Sequence, residues 1–155
     1  HHDLGEIVVT SPDVGGIARA RSMAKRLNCG LAIIDKRRPE ANKSEIMNII
    51  GNIEGKNCIL VDDMIDTAGT ITNAANALKD LGAKSVKACA THGILSGPAK
   101  ERIANSAIEE LVLLNTVPLA EERKLDKMTF LSVAPLLAET IDKIHNNGCV
   151  SELFD

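Results

Sequence analysis

Tryptophan and tyrosine are missing from this chain, and Phe130 and Phe154 are its whole aromatic content. Stacking platforms for bases are therefore nearly absent. An excess of basic charge is missing too. The 18 Lys and Arg stand against 21 Asp and Glu, for a net charge of −3 and an isoelectric point near 5.8. Proteins whose main partner is a long polyanion are usually basic, so no nucleic acid is expected as the main ligand. No apolar run approaches the roughly 18 residues that a membrane span needs, and no secretion signal opens the chain, so no membrane partner is expected. The four cysteines, Cys29, Cys58, Cys89 and Cys149, are widely separated and form no C-x-x-C. Their spacing specifies neither a zinc site nor a redox pair. Cys58 and Cys89 lie in apolar runs and read as small core residues. A reducing, cytoplasmic location fits this usage.

What is present is 155 residues that are 45% hydrophobic, enough for one aliphatic core and too apolar for intrinsic disorder. His1 and His2 look like a tag remnant, so residues 1–4 are set aside as that or a disordered start, and 5–155 are read as one domain. Short β-branched runs predict strands at Glu6–Ser11, Leu31–Ile34, Cys58–Val61, Ser85–Ala90, Glu110–Leu114 and Phe130–Val133, with a further short one at Ile46–Ile53. Helical spacing of apolar residues predicts helices from Gly16 to Asn28, Thr70 to Leu81, Pro98 to Asn105 and Pro135 to His145. Continuous apolar strands alternating with amphipathic helices imply an α/β fold: a doubly wound, mainly parallel sheet covered on both faces. In such sheets ligands bind outside the carboxyl ends of the strands.

The segment after Cys58–Val61 reads Asp62-Asp63-Met64-Ile65-Asp66-Thr67-Ala68-Gly69-Thr70. Its second half suits a phosphate: free backbone N–H groups and a helix dipole, hydroxyls on Thr67 and Thr70, and small Ala68 and Gly69 that admit close approach. The carboxylates of Asp62 and Asp63 would repel that phosphate. The pair makes sense for a ligand with two unlike ends, a phosphate and a diol, as in a pentose 5-phosphate. The plainer alternative is a strand ending in aspartates, with Thr70 capping an ordinary helix. Ser11-Pro12-Asp13-Val14-Gly15-Gly16 is a second glycine-rich turn, in which Asp13 is either a metal ligand or orienter, or a helix cap. Asp35-Lys36-Arg37-Arg38-Pro39 puts three cations after a strand, either as a solvated basic loop or as a mobile loop that supplies positive charge to a phosphoryl transfer.

Val61–Thr70 resembles the phosphoribosyl-diphosphate (PRPP) motif shared by type I phosphoribosyltransferases and ribose-phosphate pyrophosphokinases, the PRPP synthetases. S-P-D-x-G-G and K-R-R-P narrow this to the bacterial-type synthetases. The stretch Asn48–Lys56, the segments Ala90-Thr91-His92 and Leu95-Ser96-Gly97, and the tail Val150–Phe154 are similar as well. The resemblance covers residues 5–155 and matches the C-terminal half of that family only. It implies a type I phosphoribosyltransferase-like fold and, for the whole enzyme, transfer of the diphosphoryl group of ATP to O1 of ribose 5-phosphate, giving PRPP and AMP. It also implies a role for individual residues. Lys36 is the essential catalytic lysine and Arg38 a catalytic, substrate-contacting arginine. Asp62, Asp63, Asp66, Thr67, Ala68, Gly69 and Thr70 bind ribose 5-phosphate, and Asp13 is a ligand of the Mg²⁺ cofactor. ATP is then held mainly by the other half, and the assembly is a homo-oligomer, a hexamer in the family.

Two other readings stay open. A stand-alone phosphoribosyltransferase would share the PRPP motif, although no extra segment is visible to build its base-binding hood. A non-catalytic synthetase-associated or regulatory subunit would share the fold, although intact Lys36, Arg38, Asp62 and Asp63 argue against degeneration.

Overall fold

The computed structural model describes residues 5–37 and 46–154. Among these, seven strands make one sheet: β1 (Ile7–Ser11), β2 (Gly30–Arg37), β3 (Ile46–Ile50), β4 (Asn57–Ile65), β5 (Ser85–Gly93), β6 (Glu110–Leu114) and β7 (Met128–Leu131). Their order is β3-β2-β1-β4-β5-β6-β7. All neighbours run parallel except β2 and β3, which pair antiparallel from Ile33↔Ile50 to Arg37↔Ile46.

The helices are α1 (Ile17–Leu27), α2 (Gly69–Asp80), α3 (Ala99–Ala104) and α4 (Ala134–His145). Small residues let α1 lie close to the sheet: Ala20 and Ala24 pack on Val9 and Val61. The opposite face carries the larger core, where Ile71, Ala74, Ala75 and Leu78 of α2 and Ile103 of α3 meet Leu60, Val86, Ala88 and Leu111. Burying each of these leucine and isoleucine side chains contributes about 1.5–3 kcal/mol. Cys58 is buried in this core, and burial on the α1 side pushes the Cys89 thiol up to about 11, so both behave as apolar side chains.

Three expectations need correction. Strand β2 runs on to Arg37, because β3 pairs with it there; Lys36 is opposite Met47 in that ladder and not in a loop beyond the strand. Strand β3 stops at Ile50 because Gly51 turns the chain with φ +123. Coverage of the sheet is uneven: no residue of α4 is buried, and Leu136, Leu137, Ile141 and Ile144 face solvent. Beside α1, a groove of about 590 Å³ lined by Met23, Cys89, Val112, Leu114 and Leu131 remains open. No described helix is long and apolar enough to cross a membrane.

From β1 the chain winds through α1 to β2, and from β4 it winds the other way through α2 to β5. The direction of winding therefore switches between β1 and β4. A crevice opens at the carboxyl ends of such a pair.

Candidate functional site at the switch point

β1 ends its pairing with β4 at Thr10↔Leu60, but β4 continues along β5 through Asp62↔Ala90 and Met64↔His92 to Ile65↔Gly93. Asp62 and Asp63 therefore stand within a strand, not just past its end. Their edge toward β1 is open, because β1 has already turned away. A cleft of about 280 Å³ occupies that space, and its walls are Asp13 and the continuous run from Asp62 to Ile71. The turn after β1 and the segment after β4 thus meet in one site, as their sequences suggest.

The Asp13 turn is closed by its own side chains. Ser11 Oγ donates to the Asp13 carbonyl at 2.6 Å, and the Gly16 N–H donates to Asp13 Oδ1 at 2.9 Å. A Cβ on Gly16 would lie 2.8 Å from Ser11 Oγ, so no other residue fits this turn without a shift. Asp13 braces the turn at the N-cap residue itself; it does not cap the N–H groups further into α1.

The carbonyls of Ile65, Asp66 and Thr67 are tied back, while the amides of residues 66–70 donate to no partner among the described residues. Ile94 and Leu95 N–H groups donate to Ile65 O at 3.0 and 3.1 Å, and Ser96 N–H donates to Asp66 O at 3.0 Å. Ser96 Oγ also bonds Asp66 Oδ1. Arg102 Nη1 donates to Thr67 O at 2.9 Å. Three consecutive carbonyls are thereby held by the segment after β5 and by α3. Ala68 adopts a left-handed conformation with φ +61 and is the N-cap of α2, with no side-chain cap. Thr70 lies in the first turn of α2 and does not cap it, which removes the ordinary-cap alternative. The first amides of α2 keep their donors for whatever enters the cleft, backed by the helix dipole.

Charge is divided across the cleft. Burial pushes the Asp62 carboxyl above its ordinary value, with the adjacent Asp63 adding to the rise. Asp63, far more exposed, is held below its ordinary value by its hydrogen bonding with Asp62 and by Arg19. Arg19 bridges the two, with Nη1 at 3.3 Å from Asp62 Oδ1 and Nη2 at 2.8 Å from Asp63 Oδ2. At the far end, Arg102 stands behind Gly69, whose Cβ would lie 3.3 Å from Arg102 Nη1. One end of the cleft can accept hydrogen bonds from hydroxyls, and the other can donate them to an anion.

Arg38 lies outside the described residues, and of Lys36 only the backbone position in β2 is described. His92, without a role in the sequence, is fixed at Nδ1. Thr116 Oγ1 gives its proton to Thr91 O at 2.8 Å, so His92 Nδ1 is the donor to Thr116 Oγ1 at 2.8 Å. Arg19, Ser96 and Arg102 escape sequence reasoning because their partners are remote in sequence. Each reads locally as a polar residue on a helix or loop surface.

The strand order, the switch at β1 and β4 and the uncapped α2 cradle define an α/β domain of the phosphoribosyltransferase type. An orotate phosphoribosyltransferase from Aeropyrum pernix has the same fold at 17% identity, with a TM-score of 0.57 over 91% of this chain and 68% of that one. Residues 39–155 match the phosphoribosyl synthetase-associated domain, and the chain belongs to that family. It is 64% identical to a ribose-phosphate pyrophosphokinase of Clostridium perfringens and 60% identical to one of Bacillus subtilis, in each case over 98% of this chain and 48% of the relative. The phosphoribosylpyrophosphate synthetase of Mycobacterium smegmatis superposes with a TM-score of 0.86 at 44% identity, covering 95% of this chain and 48% of that one. The chain spans about half the length of the curated relatives it matches.

Proposed function

We propose that this chain is the ribose 5-phosphate-holding part of a ribose-phosphate diphosphokinase, which transfers the diphosphoryl group of ATP to O1 of ribose 5-phosphate and yields PRPP and AMP. The observation that carries the reading is the two-ended cleft, with Asp62 and Asp63 at one end and the uncapped start of α2 at the other. A phosphorylated pentose has that polarity, and the relatives' names supply the reaction.

In this reading the 5-phosphate sits on the amides of Asp66–Thr70 and the Thr67 and Thr70 hydroxyls. Asp62 and Asp63 accept hydrogen bonds from the ribose hydroxyls, which fixes the ring and aims O1 out of the cleft. O1 attacks the β-phosphorus of ATP and loses its proton, and the bond from that phosphorus to the α–β bridging oxygen breaks, releasing AMP. Lys36 and Arg38 supply fixed positive charge to the transferring group. Asp13 is the residue that would hold Mg²⁺. Its Oδ1 is committed to Gly16, and its second oxygen remains for an ion in the cleft wall. Among the described residues no group of three or more His, Cys, Asp or Glu could hold a metal alone. One carboxylate completed by substrate oxygens and water suits Mg²⁺, which when bound neutralises phosphoryl charge. The adenine contacts belong to the part of the relatives' length that this chain does not span. A homo-oligomer in the cytoplasm completes the proposal.

Phosphorus NMR on the full-length protein with ATP, Mg²⁺ and ribose 5-phosphate is expected to show PRPP and AMP forming in equal amounts. Consumption of PRPP with a base, and none of ATP, would favour a phosphoribosyltransferase; binding without either reaction would favour a regulatory subunit.

Arg102 gives a second test. Arg102→Ala frees the Thr67 carbonyl, so the cradle loses its brace and the nearby positive charge. A hydrogen bond from a charged donor is worth about 1.5–3 kcal/mol, so ribose 5-phosphate affinity should fall about tenfold or more by calorimetry, with the circular dichroism spectrum unchanged.

A further inference from the structure

The carboxylate end of the cleft depends on a residue that does not line it. Arg19 is not among the walls of the 280 Å³ cleft; it lines the apolar groove on the α1 side of the sheet. From there its guanidinium reaches both Asp62 and Asp63. Consecutive residues of a strand point to opposite faces, so one cation reaches both only across an unpaired strand edge. That edge is available because β1 ends its pairing at Leu60.

The fork also decides which oxygens are spent. Asp62 Oδ1 accepts from Arg19 Nη1 at 3.3 Å and from the Asp63 N–H at 2.9 Å. Both contacts fall on the same oxygen, so Arg19 and the Asp63 amide fix the Asp62 carboxyl together. Burial and the neighbouring Asp63 favour a protonated Asp62, a poorer acceptor for a diol, and the positive charge of Arg19 opposes this by favouring the ionised form of both carboxyls. A planar guanidinium holds both in one orientation, which an ammonium cannot do.

We propose that Arg19 is the positioning residue for hydroxyl recognition: it pins Asp62 and Asp63 from the α1 side, and ribose is distinguished from sugars that lack a hydroxyl only while that fork is in place. The proposal rests on the reading of the cleft as a ribose 5-phosphate site.

The test compares the full-length protein with Arg19→Ala and Arg19→Lys, each checked for an unchanged circular dichroism spectrum. Calorimetry with ribose 5-phosphate, 2-deoxyribose 5-phosphate and inorganic phosphate supplies the readout. Arg19→Ala should weaken ribose 5-phosphate about 10–100-fold, the range for charged hydrogen bonds to the hydroxyls, and leave inorganic phosphate within about twofold. Its preference for ribose over 2-deoxyribose 5-phosphate should shrink toward unity. Arg19→Lys should recover part of that preference, since it restores charge but not the fork. An unchanged preference in Arg19→Ala, or an equal loss for all three ligands, would overturn the positioning role. Wild-type protein that binds phosphate without favouring ribose would instead overturn the reading of Asp62 and Asp63, and this proposal with it.

Discussion

Lys36→Ala in the full-length protein is expected to slow PRPP formation about 10²–10³-fold while the Michaelis constants for both substrates change little. The lysine is proposed to meet charge that develops on the diphosphoryl group as it moves, an interaction stronger in the transition state than in the ground state. Loss of one preorganised charge partner in a closed site costs about 3–4 kcal/mol. Such a loss falls on turnover and leaves substrate binding nearly intact. In the β2–β3 ribbon Lys36 has a ladder partner, Met47, which sets its place along the strand. Arg38→Ala should differ by also raising the Michaelis constant for ribose 5-phosphate. Steady-state kinetics with both substrates varied, on variants shown to be folded, makes the comparison. Near-normal turnover in Lys36→Ala would return the segment to a solvated basic stretch.

Gly69→Leu is expected to abolish ribose 5-phosphate binding, a loss of at least about 100-fold, without unfolding the protein. The backbone at Gly69 is in the first turn of α2, and its φ is not one that L residues avoid, so the helix itself tolerates a side chain. The obstacle is space: a Cβ there already stands 3.3 Å from Arg102 Nη1, and Gly69 lines the cleft. A leucine pushes Arg102 off Thr67 and fills the volume that the phosphate needs, so several charge-assisted hydrogen bonds fail together. Gly69→Ala adds only the Cβ, which a small shift of the arginine accommodates, and should retain most of the affinity. Calorimetry on both variants separates lost space from lost flexibility; equal affinities for Gly69→Leu and wild type would remove the phosphate from this loop.

The order and kind of the elements were legible because the patterns are local. Val8-Val9, Leu60-Val61 and Leu111–Leu114 are aliphatic enough to specify buried strands, and Ala20 and Ala24 mark the helix face that must approach a sheet. Strand ends were less legible, since a strand continues as long as a neighbour pairs with it. β2 extends because β3 folds back on it, and β4 extends because β5 runs to Gly93. The cradle was readable from Asp66–Thr70, a contiguous stretch. Its supports were not: Ser96 and Arg102 reach it from the far side of β5, and Arg19 reaches Asp62 across 43 residues of sequence. The amphipathic pattern of α4 forecast a helix, and the helix is there, but periodicity says nothing about which surface its apolar side meets.

The position of β1 bears on how the chain acquires its fold. Val8 is paired with Gly30 on one side and with Cys58 on the other, separations of 22 and 50 residues (30 − 8 and 58 − 8). The loop-closure cost of the second pairing exceeds that of the first, though only logarithmically, and parallel, non-local pairing is slow. A unit of β1, α1 and β2 can form early, and so can a unit of β4, α2 and β5. Neither contains the whole cleft: residues 62–71 of its wall lie in the second unit and Asp13 in the first, so the site is complete only where the two meet. A ligand seated there binds the complete native state and neither half-formed unit, so its binding free energy adds to global stability by mass action.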